Sequence, residues 1–194
     1  MPMLQNLEAR FGSQHIQMIS FEAKDFYLID LPQQHGAKLL MTAGLHAHQM
    51  PVHEKHQDEA FIELYVFLPS YFELSQNTKE PTAWPLVWLS KLYDYVLEKD
   101  TWLGHGHTFP SQLPIPYLML VRPLALEALL TPIQLPDKTI HFLGLLPLFS
   151  DEFDYKQSKG TLKLLQKLVM KGVSEKLDDY RSSVLQSKWQ FWKR

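Results

Sequence analysis

Nine histidines and no cysteine among 194 residues bound the chemistry this chain can carry. Six of the histidines gather in two stretches: His46, His48, His53 and His56 in "HAHQMPVHEKH", and His105 and His107 in "WLGHGHTFP". Imidazole nitrogens bind zinc, copper or nickel readily, and without thiolates a metal site must draw on His, Asp and Glu. A metal-dependent hydrolase using His46, His48, His53, His56 and His107 is therefore one reading. The spacing argues against it. A zinc-protease helix sets its two histidines four apart with a glutamate base between them, whereas "HEKH" sets His53 and His56 three apart. His46 and His48 are two apart and would share a face only on a strand. No metal ligand and no cofactor is assigned, and 46–56 is expected to be an exposed, His-rich loop.

The same weighing applies to "WLGHGHTFP". Gly104 and Gly106 permit tight or positive-φ turns, and Pro110 and Pro114 restrict the chain that follows. A catalytic histidine needs an orienting acid and a nucleophile or substrate within reach, and no neighbouring motif supplies them. The patterns GxSxG, GxxxxGK[ST] and GxGxxG are all absent from the sequence. No catalytic residue is assigned, and the chain is expected not to be an enzyme. His141, between Ile140 and Phe142, reads as a half-buried strand histidine, and Asp151, Glu152 and Asp154 read as solvated charges at a helix start, where the dipole favours them.

The elements that must hold these residues are legible from periodicity. "LQNLEARFG" sets Leu4, Leu7 and Phe11 on one side of a short helix ending at Gly12. "FYLIDLP" and "KLLMTAG" read as strands joined by a "QQHG" turn with Gly36 at positive φ. In "AFIELYVFLP", Ile62, Leu64, Val66 and Leu68 share one face and Phe61, Glu63, Tyr65 and Phe67 the other, so this strand is expected at the centre, covered on both sides. "PTAWPLVWLSKLYDYVLEKD" predicts a helix with Trp88, Leu89, Leu92, Tyr95 and Val96 inward. "PYLMLVRP" and "TIHFLGLLPL" read as further strands. Two helices follow, with Ser150 and Thr161 as N-caps and Leu164, Leu165, Leu168 and Val169 inward, the second stopping at Gly172. Strands and helices mix without βαβ alternation, which predicts an α+β fold: one domain with a mixed central β-sheet flanked by helices.

Composition excludes several functions. A formal charge of −2 and a pI near 6.5 supply no basic field for nucleic acid or an anionic membrane; the tail ending Lys193–Arg194 is the one basic cluster expected. "MPMLQNLEARFG" lacks the features of a signal peptide, and no run approaches the ~20 apolar residues of a membrane span. A cytoplasmic location is expected.

The order of segments completes the reading. "IELYVFLP", then "WPLVWLSKLYDYVLEKDTWLGHGHTF", then "IHFLGLLPLFSDEFDYKQSKGTLKLLQKL" resembles the suppressor-of-fused (SUFU-like) family across roughly Leu39 to Asp179, and the chain looks like a bacterial stand-alone member. The resemblance implies a SUFU-like domain over 1–180 and a C-terminal tail over 181–194. It implies a non-catalytic, protein-binding role, since the family includes a eukaryotic regulator that sequesters transcription factors. It also includes bacterial members regarded as immunity proteins against a partner toxin. In the family the "GHGHT" segment is a structural loop, so Trp102, Gly104, Gly106, His107 and Thr108 are expected to hold its shape. The candidate binding residues are Trp102, His105, His107, Arg181, Trp189 and Trp192. Arg181, in "DDYRSSVL", would be either a buried hydrogen-bonding anchor or a partner contact, and Trp189, Phe191 and Trp192 are of the types that anchor interfaces.

Overall fold

The computed structural model describes residues 2–186, the side chains at 55 and 58 apart. Helix α1 (Pro2–Phe11) leads into a meander of β1 (Ile16–Phe21), β2 (Lys24–Leu31) and β3 (Ala37–Thr42), and β4 (Phe61–Leu68) follows the His-rich stretch. Helix α2 (Trp84–Lys99) precedes β5 (Thr108–Pro110), β6 (Tyr117–Val121), β7 (Ile133–Gln134) and β8 (Thr139–Leu148). Helices α3 (Ser150–Lys159) and α4 (Thr161–Met170) follow, and the described chain then runs on to 186.

One eight-stranded mixed sheet carries the fold, in the order β1-β2-β3-β4-β8-β6-β5 with β7 also on β8. Among the described strands every pairing is antiparallel except the central one, β4 with β8. That pair brings Phe61 opposite Ile140 and Tyr65 opposite Gly144. The α+β reading with a mixed central sheet holds.

Side-chain alternation divides the core into two layers. Ile62, Leu64, Val66 and Leu68 face Leu86, Leu89, Leu92 and Val96 of α2. Tyr65 and Phe67 face the other way, where Met3 and Leu7 of α1 cover them together with Leu126, Leu130 and Ile133. On that second face Leu164, Leu165 and Leu168 of α4 seat on Met119, Val121, Leu146 and Leu148. Strand β4 is central and covered on both sides, as its two apolar faces imply.

Several boundaries and orientations differ from expectation. Phe149, not Ser150, is the N-cap of α3, and Gly160, not Thr161, that of α4. Tyr95 and Val169, expected inward, are exposed at 43% and 56%. In both helices the buried arc is narrower than the apolar arc, because the sheet beneath accepts only the central stripe. The β1–β2 hairpin turns on Glu22 and Ala23 at φ 49° and 59°, the left-handed pair normally supplied by Asn-Gly. Tertiary contacts explain the choice of Glu22. Its Oε2 accepts from Ser90 Oγ at 2.8 Å, and Lys24 pairs with Asp94 of α2 at 2.9 Å.

Gly144 marks the tightest point of the centre. A Cβ there would lie 2.7 Å from Tyr65 Cζ, and Tyr65 is fully buried, so the ring cannot withdraw into solvent. Gly144→Ala should cost about 1–3 kcal/mol through overpacking, read as a lower denaturant midpoint with unchanged slope.

Candidate functional site

The two histidine stretches meet at Trp102. The His56 ring stacks on the indole with centroids 5.3 Å apart, and the His107 ring meets it edge-on at 4.5 Å. Backbone bonds fasten this loop to β6: Gly106 N donates to Leu120 O at 2.7 Å and Leu120 N to His107 O at 2.8 Å. Both glycines are required. Gly106 sits at φ 88°, where a Cβ would also lie 2.8 Å from Thr161 Oγ1, and a Cβ at Gly104 would strike Trp102 at 2.4 Å.

His105 and His107 both act as acceptors. Arg122 N donates to His105 Nδ1 at 3.1 Å, and Gly104 N to His107 Nδ1 at 3.3 Å. An N–H aimed at Nδ1 requires a lone pair there, which places the ring proton on Nε2. Both rings sit below the usual histidine range. Burial is the main cause for each; Arg122 adds to it at His105 against an opposing Glu59, and Lys156 and His56 add to it at His107. The Arg122 guanidinium in turn pairs with Glu59, tying the segment just after the first His-rich stretch to the end of β6. A cleft of about 380 Å³ opens beside the loop between Tyr95, His107, Phe109 and Lys156.

The remaining histidines are dispersed. His46 Nδ1 lies 2.5 Å from Glu63 Oε1, His53 is exposed, and the buried Nε2 of His48 meets no hydrogen-bond partner among the described residues. Among the described residues no group of three or more His, Asp or Glu side chains could hold a metal ion.

Three buried glutamates organise the loops around the sheet. Glu63 of β4 accepts from Thr42 Oγ1, from Gly44 N at 2.9 Å and from His46 N at 3.2 Å. Glu175 accepts from Tyr65 Oη at 3.2 Å and from the backbone N–H groups of Leu124, Ala125 and Leu126 at 2.9–3.2 Å. Burial and the Glu175 carboxylate together push the Tyr65 hydroxyl well above its ordinary range. Glu152, in the first turn of α3, accepts from Phe149 N and Val184 N at 3.0 Å each. Sequence reading assigned Glu152 to solvent and overlooked the other two. Glu63 left a signal, as the lone acid within "FIELYVFL"; Glu175 left none.

Arg181 completes the Glu152 site. Its guanidinium meets the carboxylate bidentately at 2.7 and 2.8 Å, donates to Pro147 O at 2.6 Å and lies over the Phe149 ring. Of the two roles open to Arg181, its side chain fills that of a buried anchor, 7% exposed. Beside it runs an open groove of about 800 Å³, between Pro69–Tyr71, Lys171–Val173 and the segment 176–186. Tyr71 and Tyr180, 52% and 86% exposed, stand on it with rings 5.7 Å apart. Trp189 and Trp192 lie outside the described residues. No helix among the described residues is long and apolar enough to cross a membrane.

The model of the suppressor of fused protein family matches residues 12–182. The chain belongs to the suppressor-of-fused family. No curated protein matches it, but solved structures of the family share its fold. Sufu in a Sufu–Fu complex is similar at a TM-score of 0.67 and 16% identity, over 94% of this chain and 90% of that one. Drosophila Suppressor of Fused is similar at 0.67 and 15% identity, over 94% of this chain but only 50% of its own length. A suppressor-of-fused homologue from Neisseria gonorrhoeae gives 0.63 at 14% identity, over 96% of both chains. At such identities the suppressor-of-fused likeness is one of fold.

Two measurements test this arrangement. Arg181→Ala leaves Glu152 as an uncompensated buried charge and should cost about 3–5 kcal/mol, seen in urea unfolding. The depressed histidines give a signed pH dependence. Above the ordinary value of 6.5 both rings are neutral in the folded and unfolded chain, and their contribution is constant. Below 6.5 the unfolded chain binds protons first, so stability falls until the folded rings protonate as well. His105→Asn and His107→Asn, which keep an acceptor, should flatten that decline in thermal melts.

Proposed function

We propose that this chain is a bacterial, cytoplasmic, non-catalytic protein-binding module of the suppressor-of-fused family that acts as an immunity protein, neutralising a partner toxin by covering it. The observation that carries the reading is the open groove beside Arg181. It is lined by Arg181, which a buried ion pair holds in place, and by two exposed tyrosines, the residue type that anchors protein interfaces at low entropic cost. The histidines support the same reading, because the Nδ1 lone pairs of His105 and His107 are engaged by backbone N–H groups of their own loop and of Arg122. A relative of the same fold has been solved as a complex of Sufu with Fu. Within this reading Arg181 lines the groove, Trp102, His105 and His107 hold the shape of the loop after α2, and Trp189 and Trp192 are candidate contact residues of the tail.

The test is affinity capture from the native cell with elemental analysis of the same sample. A stoichiometric protein partner lost on Tyr71→Ala/Tyr180→Ala, by about thirtyfold in Kd, supports the reading, and relief of a co-expressed toxin establishes immunity. Turnover abolished by His105→Ala or His107→Ala would overturn it.

A further inference from the structure

Helix α4 carries a wider apolar arc than its seat on the sheet uses. Leu164, Leu165 and Leu168 are buried. Around the cylinder from them come Val169, Leu162 and Met170, exposed at 56%, 70% and 83%, with only Gln166 among them. Next in the same sense come Lys163, Lys167 and Lys171, each four residues from the last, so that they form one row along the helix. All three are exposed. Among the described residues no acid pairs with any of them; Lys167 lies over the Tyr155 ring at 5.3 Å. The sequence from 155 to 174 holds Lys156, Lys159, Lys163, Lys167 and Lys171 and no Asp or Glu, in a chain whose net charge is −2. This is a second basic cluster, away from the tail.

We propose that the outer face of α4 is the docking site for an acidic amphipathic helix of a partner protein, whose apolar stripe packs on Leu162, Val169 and Met170 and whose Asp or Glu row meets Lys163, Lys167 and Lys171. Charge selects this occupant. The sequence after 186 holds Lys188, Lys193 and Arg194 and no Asp or Glu, so its side chains offer the lysine row no opposite charge. A second copy in two-fold register would set the row against itself. A membrane-surface helix carries its cations over a broad polar face opposite its apolar one, whereas here the lysines border one side of an apolar strip that runs on the other side into the core. Met170 suits a helix groove because its unbranched side chain adapts to the surface it meets. Lys171 and Gly172 also border the groove of Tyr71 and Tyr180, so one partner can span both. The inference rests on the protein-binding reading and adds the partner's chemistry.

The probe is a synthetic helical peptide with a leucine stripe flanked by a glutamate row, titrated into the isotope-labelled full chain and followed by NMR. Saturable shifts confined to α4, a Kd raised about tenfold by Lys163→Glu/Lys167→Glu/Lys171→Glu or by Leu162→Asp/Met170→Asp, and weakening with salt are expected. Both variants should melt like the parent, their positions being exposed. Equal binding of a scrambled peptide of the same composition, shifts elsewhere, self-association through this face in sedimentation, or binding only to phosphatidylglycerol vesicles would each overturn the proposal. A cellular partner held as tightly by both α4 variants would overturn this face while leaving the protein-binding reading intact; a chain that binds no protein would remove both.

Discussion

Carboxylates held away from water must be fully satisfied, and the periphery of this fold is arranged around meeting that demand at three glutamates. Glu63, Glu152 and Glu175 have no solvent exposure, and a lone buried charge is costly unless several donors converge on it. Most of those donors are backbone N–H groups of loops that would otherwise have no reason to adopt one path. Glu175 gathers the turn after β6, Glu63 the turn after β3, and Glu152 the chain around 184. Charge-assisted bonds of this type are roughly twice as strong as neutral ones, so a few carboxylates here do the work a regular sheet does elsewhere. Helices and strands supply the core; the glutamates decide how the connections lie over it.

The histidine-rich loops depend on that framework. Glu63 draws in the backbone at His46, and the chain then reaches far enough to lay His56 on Trp102. From the other side the Trp102 loop is clamped to β6 and to Arg122, whose partner Glu59 lies three residues beyond the first stretch. The two clusters therefore do come together, through ring packing and backbone hydrogen bonds. Their residue types suit this role, since a neutral imidazole offers a flat apolar face, one acceptor and one donor within a small side chain.

Periodicity made the core legible. The alternation in "FIELYVFL" and the spacing of Leu89, Leu92 and Val96 are direct images of a two-faced central strand and its covering helix. The loop role of "WLGHGHT" was legible as well, since glycine, tryptophan and proline at close spacing restrict the backbone strongly. What did not show was anything settled by partners distant in sequence. Glu152 looks like an ordinary first-turn acid until Arg181 arrives from beyond two helices. The β1–β2 hairpin lacked a glycine or asparagine signal because Ser90 and Asp94 of α2 stabilise a Glu-Ala turn. Val169 looked like core because an apolar residue turned outward has the same letter as one turned inward.

The parallel pairing of β4 with β8 has a consequence for how the chain is made. The meander of β1 to β4 uses near-neighbour contacts and can form early, but the partner that closes β4's free edge comes only after the whole middle of the chain. During synthesis, a strand apolar on both faces therefore waits with one row of backbone donors and acceptors unpaired, a condition that favours pairing with foreign strands. Long-range closure of this kind is slow relative to hairpin formation. The stretch 69–138 thus sets an interval during which a nascent copy is adhesive, and the chaperone demand of this small domain is written into the position of one strand.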